Sequence, residues 1–248
     1  MTGAVLCEKK DGVAHLVLNR PKAGNAINEQ LAQDLAEACL LVNQDDQVVV
    51  VIISGAGPSF CIGSDLEPAL ALSLVTPARA LAGIEKPVIA AINGDAIGLG
   101  LELALSCDLR IASDKAHFGL PQSSQGTIPW DGGSQRLPRI VGKARALDLL
   151  LTSRTIDAVE ALRIGLINKI MPSSDLLSET QTLAIQLASK GPIALRYAKE
   201  AVNKGLDLTM EQGLRLEADL YFLLHTTADR TEGVRAFLEK RTPRFKGV

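Results

Sequence analysis

The chain has 248 residues, 47% of them hydrophobic and 22% charged, proportions that allow a large core and exclude a disordered or fibrous chain. Its 26 basic and 28 acidic side chains leave a formal net charge of −2, so no global field draws in a polyanion such as nucleic acid and any anion site is local. The four cysteines, Cys7, Cys39, Cys61 and Cys107, form no CxxC pair, and read as buried small hydrophobes rather than zinc ligands or disulfide staples.

The opening segment lacks the basic start and apolar stretch of a signal peptide, and no uncharged apolar run reaches membrane-spanning length; the expectation is a soluble, cytoplasmic protein with no membrane partner. Val13–Leu18, Val48–Ile53, Val88–Ile92 and Asp108–Ala112 have the length and β-branched content of strands. Between the first two, Leu31, Leu35, Ala38, Cys39 and Val42 recur at helical spacing, and Asp65–Ile84 is rich in Ala and Leu. Strand, helix, strand, helix, strand predicts an α/β class with parallel pairing through right-handed crossovers. From about residue 132 the pattern is helical, apart from a strand over Leu166–Met171. Its helices are Ala144–Leu151, Ala158–Ile164, Leu176–Ser189, Ile193–Lys204, Thr209–His225 and Thr231–Lys240. The last of these are amphipathic and no longer alternate with strands, the pattern of a docking or oligomer-forming region. The division expected is a core over residues 1–190 and a helical oligomerisation region over 191–248.

Two turns offer chemistry. Asn93-Gly-Asp-Ala-Ile-Gly-Leu-Gly-Leu-Glu102 follows a strand and enters a helix, so its glycines allow backbone N–H groups at a helix N-terminus to approach a ligand closely; a plain strand-to-helix turn is the alternative. Phe60-Cys-Ile-Gly-Ser-Asp65 has the same setting, with Asp65 a candidate N-cap. N–H groups from two such turns can converge on one carbonyl oxygen and stabilise an enolate, the need of thioester chemistry. Glu102 then lies within reach of a proton beside that carbonyl, or is an ordinary helix carboxylate in an ion pair. A dinucleotide fingerprint fits poorly, because Leu103 stands where the third glycine belongs.

These residues resemble the enoyl-CoA hydratase/isomerase, or crotonase, family over nearly the whole chain. The matching motifs, in order, are Asn19-Arg-Pro-Lys-Ala-Gly-Asn-Ala26, Phe60-Cys-Ile-Gly-Ser-Asp65, Lys86-Pro-Val-Ile-Ala-Ala-Ile-Asn-Gly94, Gly98-Leu-Gly-Leu-Glu102 with Cys107-Asp108, Gly126-Thr-Ile-Pro, Gly132-Gly-Ser-Gln-Arg-Leu137 and Ala236-Phe-Leu-Glu-Lys-Arg241. The resemblance implies a crotonase-like β-β-α superhelix (the ClpP/crotonase fold) with a C-terminal helical trimerisation region, assembled as a homotrimer or a dimer of trimers. It implies an acyl-CoA thioester as substrate and no cofactor beyond that CoA. Oxyanion donors fall at the N–H groups of Ser64 and Leu99. Lys22, Ala23, Ile62, Gly63, Asp65, Leu66, Gly98 and Trp130 match the region around CoA and substrate, and Phe237 and Lys240 match a C-terminal pair that reaches a neighbouring subunit's CoA. For Lys240 and the basic ending the other reading is a solvated tail.

Hydratases of this family carry two glutamates. Glu102 matches the first, but the second falls at Gln122 in Phe118-Gly-Leu-Pro-Gln122, and an amide orients water or substrate without carrying a proton. Asp131 in Ile128-Pro-Trp-Asp131-Gly-Gly is a candidate replacement acid, or else a cap for a following helix, Gly133–Ile140; relatives with a loop aspartate hold it at the position of Trp130 here. The catalytic candidates are therefore Glu102, Asp131 and Gln122. Hydration of a 2-enoyl-CoA is the leading expectation, since one carboxylate can manage a syn addition; a double-bond isomerase using Glu102 alone is the second, and thioester hydrolysis or dehalogenation stands behind both. A non-catalytic CoA- or RNA-binding protein is the remaining alternative, against which stand the charge and the absence of basic stretches interleaved with aromatics. The segment Glu67–Ile84 looks shorter than in most relatives, consistent with a compact or cyclic acyl group. His15, His117 and His225 read as structural.

Overall fold

The computed structural model describes residues 3–65 and 76–248. In chain order the elements are β1 (Val5–Lys10), β2 (Val13–Leu18), α1 (Glu29–Gln44), β3 (Val50–Gly55), α2 (Pro77–Ala82), β4 (Val88–Ile92), β5 (Ala96–Ile97), α3 (Leu99–Ser106), β6 (Leu109–Ser113) and β7 (His117–Gly119). There follow α4 (Gly133–Val141), α5 (Lys143–Thr152), β8 (Thr155–Asp157), α6 (Ala158–Arg163), β9 (Lys169–Met171), α7 (Leu176–Ala188), α8 (Pro192–Gly205), α9 (Met210–Leu224) and α10 (Ala228–Leu238). One sheet runs β1-β2-β3-β4-β6-β9, antiparallel only between β1 and β2, and a small second sheet runs β5-β7-β8.

The strands β3 and β4 are apolar without alternation because both of their faces are covered. Val51, Ile53, Val88, Ala90 and Ile92 join the larger core with α1, α2 and α3, while Val50, Ile52, Ile89 and Ala91 pack on the other side against Leu176 and Ala184 of α7. The helix α1 starts where the Asn28 side chain accepts the Leu31 N–H at 3.0 Å, and its expected stripe of Leu31, Leu35, Ala38, Cys39 and Val42 is buried.

Several expected boundaries move. The strand expected at Val48 begins at Val50, because the N–H groups of Val48 and Val49 are taken by Asp45 and Gly12 carbonyls outside the ladder. The strand expected over Leu166–Met171 shortens to β9, since Leu166 N–H turns back to the Ala161 carbonyl. The last helix begins at Ala228 instead of Thr231, with the Thr227 side chain as its N-cap. Of the helix expected over 65–84, residues 66–75 lie outside the described residues, and the remainder is α2.

Two asparagine side chains, Asn25 buried and Asn93 half-buried, place the functional turns. The Asn25 side chain accepts the Arg20 N–H at 2.9 Å and donates to the carbonyls of Ala56 (2.9 Å) and Ser59 (2.8 Å). Asn93 accepts the Gly55 N–H at 2.9 Å and donates to the carbonyls of Gly57 (2.9 Å) and Ser59 (3.2 Å). The loop after β3 is thus fastened on both sides, and its continuation runs beside β5, with Cys61 N–H on the Asp95 carbonyl and Ile97 N–H on the Cys61 carbonyl, each at 3.0 Å.

The close approach of α3 to that segment requires Gly100, where a Cβ would lie inside the van der Waals surface of the Cys61 carbonyl. Gly100→Ala is expected to lower unfolding stability by about 2 kcal/mol or more through backbone displacement. Gly205→Ala, at a position with open space around it, should be neutral or stabilise by about 0.5 kcal/mol. Urea denaturation of both variants checks the contrast.

Candidate active site

Gly98 sits at φ 57°, ψ −122°, immediately before α3, a conformation that side chains resist. Its N–H donates to the Gly119 carbonyl at 2.8 Å, so the pairing of β5 with β7 fixes the turn. A Cβ placed on Gly98 would lie 3.8 Å from the Gly63 Cα and 3.7 Å from Gln122 Nε2. The Gly63–Ser64 segment, the first N–H of α3 at Leu99, and Gln122 therefore border one point. As first residue of its helix, Leu99 has no helical acceptor for its N–H, and the positive end of α3 faces the same place.

Glu102, one turn into α3, is fully buried. Its Oε1 accepts two backbone N–H groups, from Asp131 at 2.9 Å and Gly133 at 2.8 Å, the second belonging to the first residue of α4. No ion pair engages Glu102 among the described residues, so the ordinary paired helix carboxylate is not what is found. Burial pushes its carboxyl up to about 7, against the opposing pull of the Gly133 and Asp131 N–H groups; the Asp131 charge adds to the rise and Arg136 offsets it. With Oε1 doubly engaged, Oε2 is the oxygen left for chemistry, and 3.5 Å away lies Gln122 Nε2. Gln122 is itself buried, on the short 3-10 turn Pro121–Gln125 that follows β7, and its Oε1 has no hydrogen-bond partner among the described residues. A buried acceptor left open in this way calls for a donor from a ligand or water.

Asp131 is brought to Glu102 through its backbone and not through its carboxylate. The carboxylate faces α2, where its Oδ2 accepts the Ala78 N–H at 2.6 Å; burial raises its pKa, with the N–H of Ala78 the first opposing influence. The helix it caps is thus α2 and not the following α4, which corrects the expected cap: Gly132 at φ 103° points the chain away from the usual capping geometry of α4.

Lys22, Ala23, Ile62, Gly63 and Asp65 come together. Ile62 N–H donates to the Gly24 carbonyl at 3.1 Å and Ile27 N–H to Gly63 at 2.9 Å, while Asp65 pairs with Arg20 at 3.0 Å. Lys22 is exposed, Ile62 is half exposed, and Trp130, beside Asp131, is 37% exposed. Leu66 lies outside the described residues. Phe237, on α10, and Lys240, in the turn after it, are exposed, and no hydrogen bond or ion pair among the described residues links them to Lys22 or Glu102. The basic ending is not simply solvated: Glu232 holds Arg241 and the Arg244 N–H, and Asp229 holds the N–H groups of Lys246 (2.6 Å) and Gly247 (2.8 Å). His15 bonds Ser54 at 2.8 Å, His117 bonds Asp95 at 3.0 Å, and His225 packs on Tyr221. A cavity of about 890 Å³ between the end of α3, α4 and α8 is lined by none of Glu102, Gln122, Ser64 or Leu99.

The sequence reading missed the two N–H donors to Glu102 and the bracing role of Asn25 and Asn93, although Gly132-Gly133 and both asparagines stand inside the motifs that carried the resemblance. No helix among the described residues is long and apolar enough to cross a membrane.

A mostly parallel sheet whose adjoining turns crowd a buried glutamate at a helix N-terminus is the architecture of the crotonase fold. The sequence model of the enoyl-CoA hydratase/isomerase family matches residues 8–248, and the chain belongs to that family. It is 42% identical to a crotonyl-CoA hydratase of Syntrophomonas wolfei over 97% of each chain, and 38% identical to a short-chain-enoyl-CoA hydratase of Clostridium acetobutylicum over 96% of this chain and 95% of that one. A crystal structure of an enoyl-CoA hydratase from Bacillus anthracis superposes with TM-score 0.96 at 37% identity, covering 99% of this chain and 100% of that one.

A carboxyl raised to about 7 in the fold binds its proton more tightly folded than unfolded, so stability is greatest at low pH and falls as pH rises between the unfolded and folded values. Glu102→Gln, which keeps the Oε1 acceptor, should remove that loss. Relative to wild type it is expected to gain stability as pH rises from about 5 to 8, by roughly 3 kcal/mol at most, read from denaturant midpoints across pH.

Proposed function

We propose that the protein is a cytoplasmic enoyl-CoA hydratase that adds water across the double bond of a 2-enoyl-CoA thioester. The observation that carries this reading is the pairing of a buried carboxylate, Glu102, with a buried amide, Gln122, whose Oε1 lacks a partner among the described residues. One water between them donates one hydrogen to Glu102 Oε2 and the other to Gln122 Oε1. Glu102 takes the first proton as the water oxygen bonds to the β-carbon; the double-bond electrons pass to the thioester oxygen, and the enolate then takes that proton back from Glu102 at the α-carbon. A single carboxylate thus serves as base and acid on one face, and Gln122 replaces the second glutamate in holding the water, without carrying charge.

The Ser64 and Leu99 N–H groups are assigned to the thioester oxygen, where the positive end of α3 also favours the enolate. Lys22 and Ala23 are assigned to the CoA nucleotide, and Ile62, Gly63, Asp65, Leu66, Gly98 and Trp130 to the thioester and acyl environment. Both hydrogens come from water, so the reaction needs no cofactor beyond the CoA already in the substrate. The names of the Syntrophomonas and Clostridium relatives support the same reaction. An isomerase would use Glu102 alone and leave the Gln122 acceptor without a task, and a pure binding protein would have no need of a carboxylate buried at the cost of its own ionisation.

Mass spectrometry of products formed from 2-enoyl- and 3-enoyl-CoA in oxygen-labelled water tests this. Labelled 3-hydroxyacyl-CoA is expected, with kcat/KM rising with pH through about 7 as Glu102 ionises. Glu102→Gln should lose about 10³-fold in kcat, and Gln122→Leu about tenfold or more, without a matching rise in KM. A double bond that moves with no label incorporated makes the protein an isomerase; CoA binding with no turnover makes it a binding protein.

We further propose that residues 191–248 assemble copies of the chain into a trimer or a dimer of trimers, bringing Phe237 and Lys240 to a neighbour's CoA. Met210 (80% exposed), Phe222 (68%) and Phe237 (82%) form part of a broad apolar exposure on α9 and α10, more than a monomer ordinarily leaves to water. Light scattering should give a trimer or hexamer mass, and Met210→Asp with Phe222→Asp should lower it.

A further inference from the structure

Resting on the assignment of Glu102 as the proton carrier, a second carboxylate acquires a task distinct from proton transfer. Asp131 is 4% exposed and its N–H reaches Glu102, yet its carboxylate Oδ2 is committed to the Ala78 N–H at 2.6 Å. The loop that carries it is held at three places: by that bond to the first turn of α2, by Arg136, whose guanidinium donates to the Asp131 carbonyl at 2.7 Å, and by the Arg136 N–H on the Gly132 carbonyl at 2.7 Å. The product of this fastening is two N–H groups, of Asp131 and Gly133, aimed at the same oxygen, Glu102 Oε1. The fit leaves little slack: a Cβ on Gly133 would stand 3.0 Å from Glu102 Cγ and 2.8 Å from the Pro129 Cβ.

We propose that Asp131 is a positioning residue, whose carboxylate anchors the 129–133 loop to the N-terminus of α2 so that the Asp131 and Gly133 N–H groups hold Glu102 Oε1 and leave Oε2 for the reaction. Substrate does not need to touch Asp131 for this to work. α2 packs on α3, so the wall beside the site and the proton carrier share one anchor. Without the anchor, the loop is free to drift, Glu102 loses its fixed rotamer, and the reacting oxygen is no longer defined; displacements of about 1 Å are enough to cost 10²-fold in rate. Among charged groups on the elements packed against α3, Arg79 of α2 and Arg139 of α4 are exposed, while Asp131 and Arg136 are those that act on Glu102.

Asp131→Asn retains an oxygen for the Ala78 N–H and removes the charge, and Asn caps helices as well as Asp does. It is expected to keep kcat for 2-enoyl-CoA hydration within about threefold of wild type, whereas Asp131→Ala, confirmed folded by its thermal melt, should lose about 10²-fold in kcat with little change in KM. A direct reading comes from the infrared carboxyl band of Glu102, assigned by its loss in Glu102→Gln and followed across pH. Its ionisation midpoint should move down in Asp131→Asn, where a neighbouring negative charge is gone, and up in Arg136→Met, where a positive charge and a loop anchor are gone. Asp131→Asn as inactive as Glu102→Gln would overturn the proposal in favour of proton transfer by Asp131, and a fully active Asp131→Ala would overturn it altogether. If wild type hydrates no enoyl-CoA, the reaction assigned to Glu102 fails, but the infrared midpoints still decide the positioning role: Asp131→Asn and Asp131→Ala both lose the charge and only Asp131→Ala loses the anchor that aims the N–H groups at Oε1, so a higher midpoint in Asp131→Ala than in Asp131→Asn is expected and identical midpoints in the two refute it.

Discussion

A carboxylate withdrawn from water is the constraint on which the rest of the site depends. No ion pair engages Glu102 among the described residues, and Arg136 offsets its burial only in part; what it has besides is the start of α4, two N–H groups on one oxygen, and a neutral amide near the other. Those dipoles are fixed by the fold before any ligand arrives. The balance between burial and dipoles leaves the carboxyl at about 7, a value at which gaining and losing a proton are nearly equal in cost. A salt bridge would have kept it permanently ionised, and an apolar pocket without the N–H donors permanently protonated.

Keeping that balance demands close placement of segments far apart in the chain, and the molecule achieves it with backbone hydrogen bonds and two asparagine side chains. Asn25 and Asn93 meet on one carbonyl, that of Ser59, and thereby fix the path of the chain toward Ser64. The three-stranded sheet does the same for Leu99 and Gln122, since the Gly98 N–H rests on Gly119 and the Gln122 turn follows directly. Rigid support of this kind costs stability at Glu102 and recovers it in the surrounding polar network, in which nearly every buried donor and acceptor is matched. Among the described residues the exceptions are Arg196 Nε and Gln122 Oε1, and the second lies beside Glu102.

How far the sequence could be read depended on the range of the interactions. The strands β2, β3 and β4 and the helix α1 were legible because long apolar runs and a helical stripe are local patterns. β5, β7 and β8, of two or three residues each, are too short to carry a period and exist because they pair with one another. β1, VLCEKK, has a polar end that blurs its strand pattern, a composition that an edge strand tolerates and a central one does not. Asp131 shows the same limit at a single residue: the spacing to Gly133 suggested a cap for the next helix, while its partner Ala78 lies more than fifty positions earlier.

The sequence by itself determined the α/β class, the family resemblance, Glu102 as the group to watch and the loss of its usual companion at Gln122, because these rest on residue identity and local order. The tertiary structure alone decided which oxygen of Glu102 is left without a backbone donor, how far its carboxyl is shifted, and which helix Asp131 caps. Those properties come from burial and from N–H groups supplied by the 131–133 loop, and neither desolvation nor the direction of a distant dipole is written in the spacing of residues along a chain.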